Sequence, residues 1–387
     1  MDVEQTEIIV WIAVGVLTAI QLLYLFTVYN AVNRRKIAER KGKLMVTDAK
    51  PGISVVIVAS DHEKQLTENL PHILTQDYPD YEVIVVDDNS QDDTNDLLQR
   101  LAQQYPHLYS TFTSDSIRYI SRKKLALTLG IKAAKKEWLI FIEPDCCPTS
   151  DQWLSLMARH FTENTDVVLG YSNYERKSGF ANLCYMYDTL LQQVRMLGLT
   201  WLGLGYMGIG RNMAYRKEIF FNNKGYSRHL DLERGEDDLF INEHVEAKRM
   251  TIEVDDKTIV RCMVGNTHQW TSDKLNRLFI RSKMNGMGPY LVDIDTVTRT
   301  LYHMGVVGTI IYSCICGWWI TLGVCAGLWT IWWGMRLLIF HNMAKVLGER
   351  RYNVSLPLMD LIQPLWELYF RLRLIMTSKR AFLRSKI

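Results

Sequence analysis

Three clusters of carboxylates stand out in this chain, because each could bind a cation or accept a proton. They are Asp87-Asp88, Glu143-Pro144-Asp145 and Glu236-Asp237-Asp238. Carboxylate oxygens are the ligands that Mg²⁺ and Mn²⁺ prefer in proteins. Like charges that crowd together raise the pKa of at least one member, as a general base that works near neutral pH requires. The sequence therefore carries candidates for a divalent metal site and for a general base.

The first two clusters follow apolar runs that predict buried β-strands. Residues 53–59 and 82–86 are rich in β-branched side chains, and residues 138–142 form a third apolar run. Continuous runs of this length are typical of strands that are buried on both faces of a parallel sheet. Ligands of open α/β sheets bind beyond the carboxyl ends of the strands. The sequence thus predicts an α/β domain with acidic side chains at its binding edge.

The order of these motifs resembles that of family 2 glycosyltransferases with the GT-A fold. The resemblance rests on a Gln-Asp-Tyr-Pro turn at 76–79 and on the acidic segment 87–92 directly after the second strand. It implies a GT-A domain (a Rossmann-like mixed sheet) over residues 53–290. Such a domain would transfer the sugar of a nucleotide-diphosphate-sugar donor with inversion of configuration at the anomeric carbon. In the resembled family the first two strand ends hold the nucleotide, which assigns Glu63 and Asp88 to that role.

The resemblance also implies a diphosphate contact and a metal ligand. Lys124 matches a family lysine at a helix start, where it can neutralise phosphate; a basic run such as 122–124 is also typical of a solvated face. Glu143-Pro144-Asp145 occupies the position of the family's Asp-x-Asp motif. We expect Asp145 to bind Mg²⁺ or Mn²⁺ and Glu143 to face the ribose side. Because Glu143 replaces the family's first Asp, a catalytically impaired membrane scaffold stays an alternative.

The acceptor site and the base follow later in the chain on the same resemblance. Asp237 matches the general base that deprotonates the acceptor hydroxyl, with Glu236 or Asp238 in support. An acidic first helical turn favoured by the helix dipole would account for the same three residues. The residues that match the family's acceptor-lining stretch are Gly208, Gly210 and Arg211.

Arg281 matches the arginine of the Gln-x-x-Arg-Trp signature that processive relatives carry. We expect it to meet the diphosphate as charge develops on the leaving group. The signature is degraded, because Ser282 replaces the aromatic residue and no Gln stands three positions before Arg281. This departure counts against a processive polysaccharide synthase, which nevertheless stays an alternative to a single-transfer enzyme.

Apolar segments on both sides of the predicted domain indicate a membrane protein. Residues 8–28 carry no charge and are long enough to span a bilayer as a helix. Residues 301–341 favour two further transmembrane helices, at about 302–321 and 324–341, over one long helix. We therefore divide the chain into an anchor (1–30), a linker (31–52), the GT-A domain (53–290), two transmembrane helices (301–341) and an amphipathic interfacial region (342–387). Packing of this last region against the domain is the alternative to a position on the inner membrane surface.

Charge and cysteine content indicate the cellular compartment of the domain and the classes of partner it can bind. The net charge of +3 and the absence of a dense basic tract argue against nucleic-acid binding. Basic residues follow the first apolar segment and the last one, which places the domain in the cytoplasm of a multi-pass inner-membrane protein. Free thiols are then the expected state of the 7 cysteines. A lipid-linked or saccharide acceptor would fit this location.

The charge distribution predicts that the two termini lie on opposite sides of the membrane, with the N-terminus outside and the C-terminus inside. Epitope tags at both ends, probed for accessibility in intact and in permeabilised cells, test this topology. Two tags that are accessible from the same side would contradict either the N-terminal anchor or the pair of helices within 301–341.

Overall fold

A computed structural model describes residues 3–113, 121–263, 267–353 and 355–383. The strands are β1 (Ile53–Ala59), β2 (Tyr81–Asp87), β3 (Leu108–Phe112), β4 (Trp138–Phe141), β5 (Cys146–Pro148), β6 (Val167–Leu169), β7 (Ser172–Tyr174), β8 (Met213–Arg216), β9 (Met250–Ile252) and β10 (Val260–Cys262). The helices are α1 (Val3–Tyr24), α2 (Ala31–Arg40), α3 (Glu63–Leu74), α4 (Thr94–Gln104), α5 (Arg122–Ala133), α6 (Trp153–Ala158), α7 (Phe180–Trp201), α8 (Lys217–Asn222), α9 (Asp238–His244), α10 (Thr267–Arg281), α11 (Met287–Cys316), α12 (Trp319–Val346) and α13 (Ser355–Met376). A π-helical turn, Leu25–Tyr29, continues α1.

The main sheet of the described residues is mixed, with the strand order β3-β2-β1-β4-β8-β6-β9. The strands from β3 to β4 are parallel, and β8 runs antiparallel to β4. The apolar runs supply the core, since Val55, Ile84 and Leu139 are fully buried. Strand order reverses between β1 and β4, so a crevice opens beyond their carboxyl ends. The predicted strands and the α/β class agree with this arrangement.

A second sheet, β5-β10-β7, contains a disulfide that contradicts the expectation of free thiols. β5 and β10 are antiparallel, and their register places Cys146 directly opposite Cys262. The two sulfurs are bonded although 116 residues separate them in the sequence. No local spacing could reveal this pair, because the fold alone brings it together. Cys147 is free and half-buried.

The segment expected to be a linker contains α2, which is docked on the α/β domain. The buried Arg35 guanidinium lies 2.8 Å from the Glu253 carboxylate, and His160 Nε2 lies 2.9 Å from the same carboxylate. Lys36 forms a further ion pair with Asp255 at 2.9 Å. These contacts fix the direction in which the chain leaves its N-terminal apolar helix.

Two described helical segments, Glu7–Tyr29 and Trp319–Val346, are long and apolar enough to cross a membrane. α11 precedes the second of them, and Gly317 separates α11 from α12 by adopting a left-handed conformation at φ 71°. The break lies inside the first expected helix, 302–321, and α11 begins at Met287, well before residue 302. α1, α11 and α12 share an apolar cluster of Val14, Tyr302, Val306, Cys325 and Trp332.

A buried ionic cluster attaches these helices to the domain through α13. The Asp360 carboxylate accepts hydrogen bonds from Arg336 Nη2 at 2.8 Å and from Arg299 Nη1 at 3.2 Å. The Tyr187 hydroxyl of α7 donates to the same carboxylate. All four side chains are buried, so Asp360 compensates two guanidinium groups that are out of contact with water. The opposite side of α13 exposes apolar side chains such as Leu365.

We expect Asp360→Ala to lower the free energy of unfolding by about 3–5 kcal/mol, because it leaves two buried guanidinium groups without their counter-ion. Thermal unfolding of the detergent-purified chain measures the loss. Asp293→Ala is the matched control: Asp293 pairs with Arg281 and Arg371, but its side chain is 40% exposed, so its loss should cost about 0–1 kcal/mol. Equal effects of the two substitutions would contradict the assignment.

Candidate active site

The candidate active site is a cavity of about 140 Å³ beyond the carboxyl end of β4. The Gly-rich stretch before β8, the start of α9 and residues of α7 and α10 form its other walls. It gathers several of the side chains singled out in the sequence, together with cations that the sequence analysis did not assign. Its charged lining includes Lys123, Glu143, Arg211, Asp237, Asp238 and Arg277.

The predicted nucleotide residues lie at the ends of β1 and β2. Asp88 is buried and accepts hydrogen bonds from Thr113 Oγ1 at 2.5 Å and from Arg122 Nε at 3.1 Å. Glu63 is half-buried at the first turn of α3, where its backbone N–H donates to the Asp92 carboxylate at 3.0 Å. Arg122 therefore orients the Asp88 carboxylate, whose remaining lone pairs can accept from a ligand.

The structure places Lys123, and not Lys124, in the cavity. Lys124 is fully buried, and its Nζ donates to the carbonyl oxygens of His229, Leu232 and Arg234 at 2.7–2.9 Å. Burial lowers the pKa of Lys124 to about 8. Its ammonium group therefore holds the 229–234 loop and does not reach a diphosphate. Lys123 lies in the cavity instead, one position before the residue assigned from the resemblance.

Lys123 links two of the three acidic clusters. Its Nζ lies 2.9 Å from a Glu143 oxygen and 3.0 Å from a Glu236 oxygen. Arg211 Nε lies 2.9 Å from the other Glu143 oxygen. Burial opposes ionisation of Glu143, but Lys123 and Arg211 outweigh it and hold the pKa of this carboxyl well below its usual range. Both oxygens of the Glu143 carboxylate are therefore already paired with a cationic side chain of the protein.

Asp145 has the opposite electrostatic environment. Burial, followed by the neighbouring charge of Glu143, raises the pKa of Asp145 to about 6. Ligand atoms of Glu143, Asp145 and Cys146 all lie within 4.8 Å of one another. The Cys146 sulfur is committed to its disulfide, which leaves two carboxylates as donors. Carboxylate oxygens are hard donors, and a divalent cation bound between these two carboxylates would offset their mutual repulsion. The pair therefore fits Mg²⁺ or Mn²⁺.

Asp237 lies where the Gly-rich stretch meets α9. Its carboxylate accepts a hydrogen bond from the backbone N–H of Gly210 at 2.9 Å. A Cβ atom at Gly210 would stand 2.5 Å from a carboxylate oxygen of Asp237, so glycine is required for this contact. Burial, then the charge of Glu236, raises the pKa of Asp237 to about 7. The same causes raise the pKa of Asp238 to about 6, and Asp238 accepts from the backbone N–H of Leu239 at 2.8 Å.

The two predicted glycines have different roles. Gly210 makes room for Asp237, as described, and also lines the cavity. Gly208 lines the same cavity, but a Cβ there would stand 2.1 Å from Met213 Sδ and 3.3 Å from Ile241. Its small size is therefore required by packing against the core. Of the expected acceptor residues, Arg211 is the one whose charged side chain reaches the cavity.

Arg281 lies outside this cavity. It lines an adjoining cavity of about 70 Å³ and bonds to the Asp293 carboxylate. Arg277, one helical turn earlier on α10, lines both cavities. Its Nη2 is buried and has no hydrogen-bond partner among the described residues; the Asp188 carboxylate stands 3.9 Å away. The α10 arginine that lines the first cavity is thus Arg277, one turn before the residue assigned by resemblance.

Residues 54–221 match the family model described as glycosyl transferase family 2. The chain is similar to the glycosyltransferase GlyG of Streptococcus pneumoniae serotype 4, with 28% identity over 133 residues, 33% of this chain and 41% of that protein. It is also similar to the UDP-Glc:alpha-D-GlcNAc-diphosphoundecaprenol beta-1,3-glucosyltransferase WfaP of Escherichia coli, with 26% identity over 131 residues, 33% of this chain and 48% of that protein. Both alignments span less than half of the relative's length.

Among solved structures, the chain resembles the mannosyltransferase PcManGT from Pyrobaculum calidifontis, determined with GDP-Man and Mn²⁺. The TM-score is 0.54 at 17% sequence identity, over 88% of this chain and 98% of that one. This likeness confirms the expected GT-A fold. The residues that match the family model, 54–221, lie within this fold.

The raised pKa of Asp237 predicts a pH-dependent stability. The folded chain keeps this proton up to about pH 7, whereas an unfolded aspartate releases it near pH 4. Between these two pH values the folded state binds more protons than the unfolded state does. The contribution of the protonated Asp237 to stability is therefore lost as the pH rises. We expect Asp237→Asn to raise the melting temperature above wild type at about pH 8, and to raise it far less at about pH 5.

Thermal unfolding across this pH range, with the exposed Asp231→Asn as the control, measures the difference. A gap between Asp237→Asn and wild type that stays constant with pH would contradict the assigned pKa.

Proposed function

We propose that the protein is an inverting glycosyltransferase that transfers a sugar from a nucleotide-diphosphate-sugar to an acceptor hydroxyl. One observation carries this proposal: the cavity beyond β4 contains both Asp237, whose pKa is raised to about 7, and Glu143, whose carboxylate lies within 4.8 Å of the Asp145 carboxylate. A base that is poised near neutral pH and a set of hard oxygen donors are the two requirements of such a transfer.

The donor would lie across the ends of β1, β2 and β4. Asp88 and Glu63 are positioned for the nucleoside, and Asp145, aided by Glu143, for the divalent cation. When bound, that cation would supply positive charge at the donor diphosphate. Lys123 is the protein cation best placed to contact the same diphosphate, since its ammonium group already bridges two carboxylates in the cavity.

The transfer would be a single in-line displacement. Asp237 accepts the proton of the acceptor hydroxyl while the hydroxyl oxygen forms a bond to the anomeric carbon. The bond from that carbon to the diphosphate oxygen breaks, and its electron pair leaves with the nucleoside diphosphate. Lys123 and Arg277 would stabilise the leaving charge. One displacement inverts the configuration at the anomeric carbon, as the GT-A resemblance implies.

The acceptor would enter through the adjoining cavity. That cavity shares Asp238 and Arg277 with the first one, and apolar side chains such as Leu191 and Val292 contribute to its wall. The unpartnered Nη2 of Arg277 could hold an anionic group of the acceptor. The neighbouring helices α11 and α13 expose apolar side chains, which suits a lipid-linked acceptor at a membrane surface. The Escherichia coli relative is named for an acceptor on diphosphoundecaprenol.

These features support a catalytic domain held at the cytoplasmic face of the cell membrane. The candidate spans end beside α2, which is docked on the domain through Arg35 and Glu253. A nucleotide-sugar donor is a cytoplasmic metabolite class, and a lipid-linked acceptor is confined to the bilayer. The site between them would serve the assembly of a glycan or polysaccharide.

We expect Asp237→Asn to lower the transfer rate by about 10²–10⁴-fold, because an amide cannot accept the proton of the acceptor. Nucleotide affinity should be unchanged, since the residue lies away from Asp88 and Glu63. Asp238→Asn is the matched control and should lose less activity, because Asp238 caps the first turn of α9. Transfer rates with calorimetric measurement of nucleotide binding separate these effects. An inactive Asp238→Asn beside a near-normal Asp237→Asn would assign the base to Asp238.

A further inference from the structure

A second polar cavity, of about 480 Å³, shares no lining residue with the active-site cavity. Its walls are α2, the residues that lead into α2, and the last turn of α12. We call it the juxtamembrane cleft, defined by Asn30, Asn33, Lys36, Ile37, Arg40, Asp256, Asn342, Lys345 and Val346.

The cleft lies where both candidate membrane spans end. The first span stops at Tyr29, one residue before Asn30, and the second stops at Val346, which itself lines the cleft. The ends of two apolar helices on the same side of a bilayer lie at the level of the lipid headgroups. The cleft is therefore positioned to meet a lipid headgroup from the leaflet next to the catalytic domain.

The charges in the cleft favour an anion. Arg40 and Lys345 are exposed and have no side-chain partner among the described residues, although they lie on different helices. Lys36 is committed, at 2.9 Å from Asp255 and 3.0 Å from Glu39. Asp256 contributes an opposing carboxylate, and a hydrogen bond with the Asp255 side chain raises its pKa. Two uncommitted cations thus converge on the cleft from opposite walls.

The neutral lining also suits a headgroup. The Asn33 amide is already used, because its Nδ2 donates to Asn30 Oδ1 at 2.9 Å and to the Ile339 carbonyl at 3.2 Å. This bond ties α2 to α12 and fixes the inner wall of the cleft. Asn342 keeps an amide available for a ligand oxygen. Ile37 is 50% exposed on the rim, where it can contact an acyl chain.

We propose that the juxtamembrane cleft binds the phosphate of an anionic phospholipid, with Arg40 and Lys345 as its cationic contacts. Basic pockets between membrane helices at the headgroup level have the chemistry to bind such lipids. A lipid in this position bridges α2, which is docked on the catalytic domain, and α12, which ends in the membrane. This site is separate from sugar transfer, so it stands or falls independently of the proposed enzymatic activity.

The test is lipid binding to the delipidated, detergent-purified full chain. Short-chain phosphatidylglycerol, short-chain phosphatidylcholine and inorganic phosphate are titrated separately, and the shift in melting temperature gives an apparent Kd for each. We expect phosphatidylglycerol to bind best, with Kd rising about fivefold for each cation removed and about 25-fold for Arg40→Gln/Lys345→Gln. Lys345→Arg, which keeps the charge, should bind as the wild type does.

Arg34→Gln/Lys43→Gln is the control, because it removes the same charge from exposed positions outside the cleft. An equal loss in this variant would overturn the proposal, since general attraction between basic residues and anionic lipid would then explain the binding. A phosphate titration that reproduces the lipid shift would overturn the lipid assignment in favour of a free-anion site. Equal binding of phosphatidylcholine would overturn the role of charge.

Discussion

The site depends on two adjacent lysines at the start of α5. Carboxylates from separate segments cannot be buried together without cations, because the loss of hydration and their mutual repulsion both oppose it. Lys123 supplies one cation by bridging Glu143 and Glu236. Lys124 points away from the cavity and holds three carbonyl oxygens of the 229–234 loop that leads into the last acidic cluster. Together they join the half of the domain that carries β1, β2 and β4 to the half that carries Asp237.

The same principle extends to the helices beside the domain. Asp360 neutralises Arg299 and Arg336 on neighbouring helices, and its contact with Tyr187 reaches the helix that lines the active site. Glu253 plays the equivalent part for α2. Buried ion pairs of this kind contribute little net stability compared with apolar packing, but they are costly to break. They therefore define how the apolar helices are oriented relative to the catalytic cavity.

The sequence was sufficient to predict those elements that a contiguous stretch of residues defines by itself. The runs 53–59 and 138–142 became β1 and β4 because a continuous apolar segment can be buried on both faces only in the middle of a sheet. The first two acidic clusters were expected at the binding edge because strand ends in such sheets point to one edge. The disulfide between Cys146 and Cys262 had no local signal, since it depends on strand pairing across the second sheet.

Two of the assigned cations, Lys124 and Arg281, lie outside the active-site cavity, and a nearby cation lines it in each case. Lys124 and Lys123 are neighbours in a basic run, and only the direction of each side chain on α5 decides which one enters the cavity. The resemblance pointed to Arg281, and Arg277 lies one helical turn earlier on the same face of α10. The early start of α11 was missed because its charged residues, such as Asp295, interrupt the apolar pattern. Tertiary partners, here Tyr29 and Arg195, bury that carboxylate.

Release of nucleoside diphosphate by the purified full-length chain is the most direct test of the central claim. A panel of nucleotide sugars is supplied with lipid-linked acceptors, in the presence of Mn²⁺ or Mg²⁺ and then with excess chelator. The account predicts that at least one donor is turned over, that chelation abolishes turnover and that Asp145→Ala does not recover it when metal is restored. Turnover that continues at full rate in chelator, or no turnover of any donor with metal present, would contradict it.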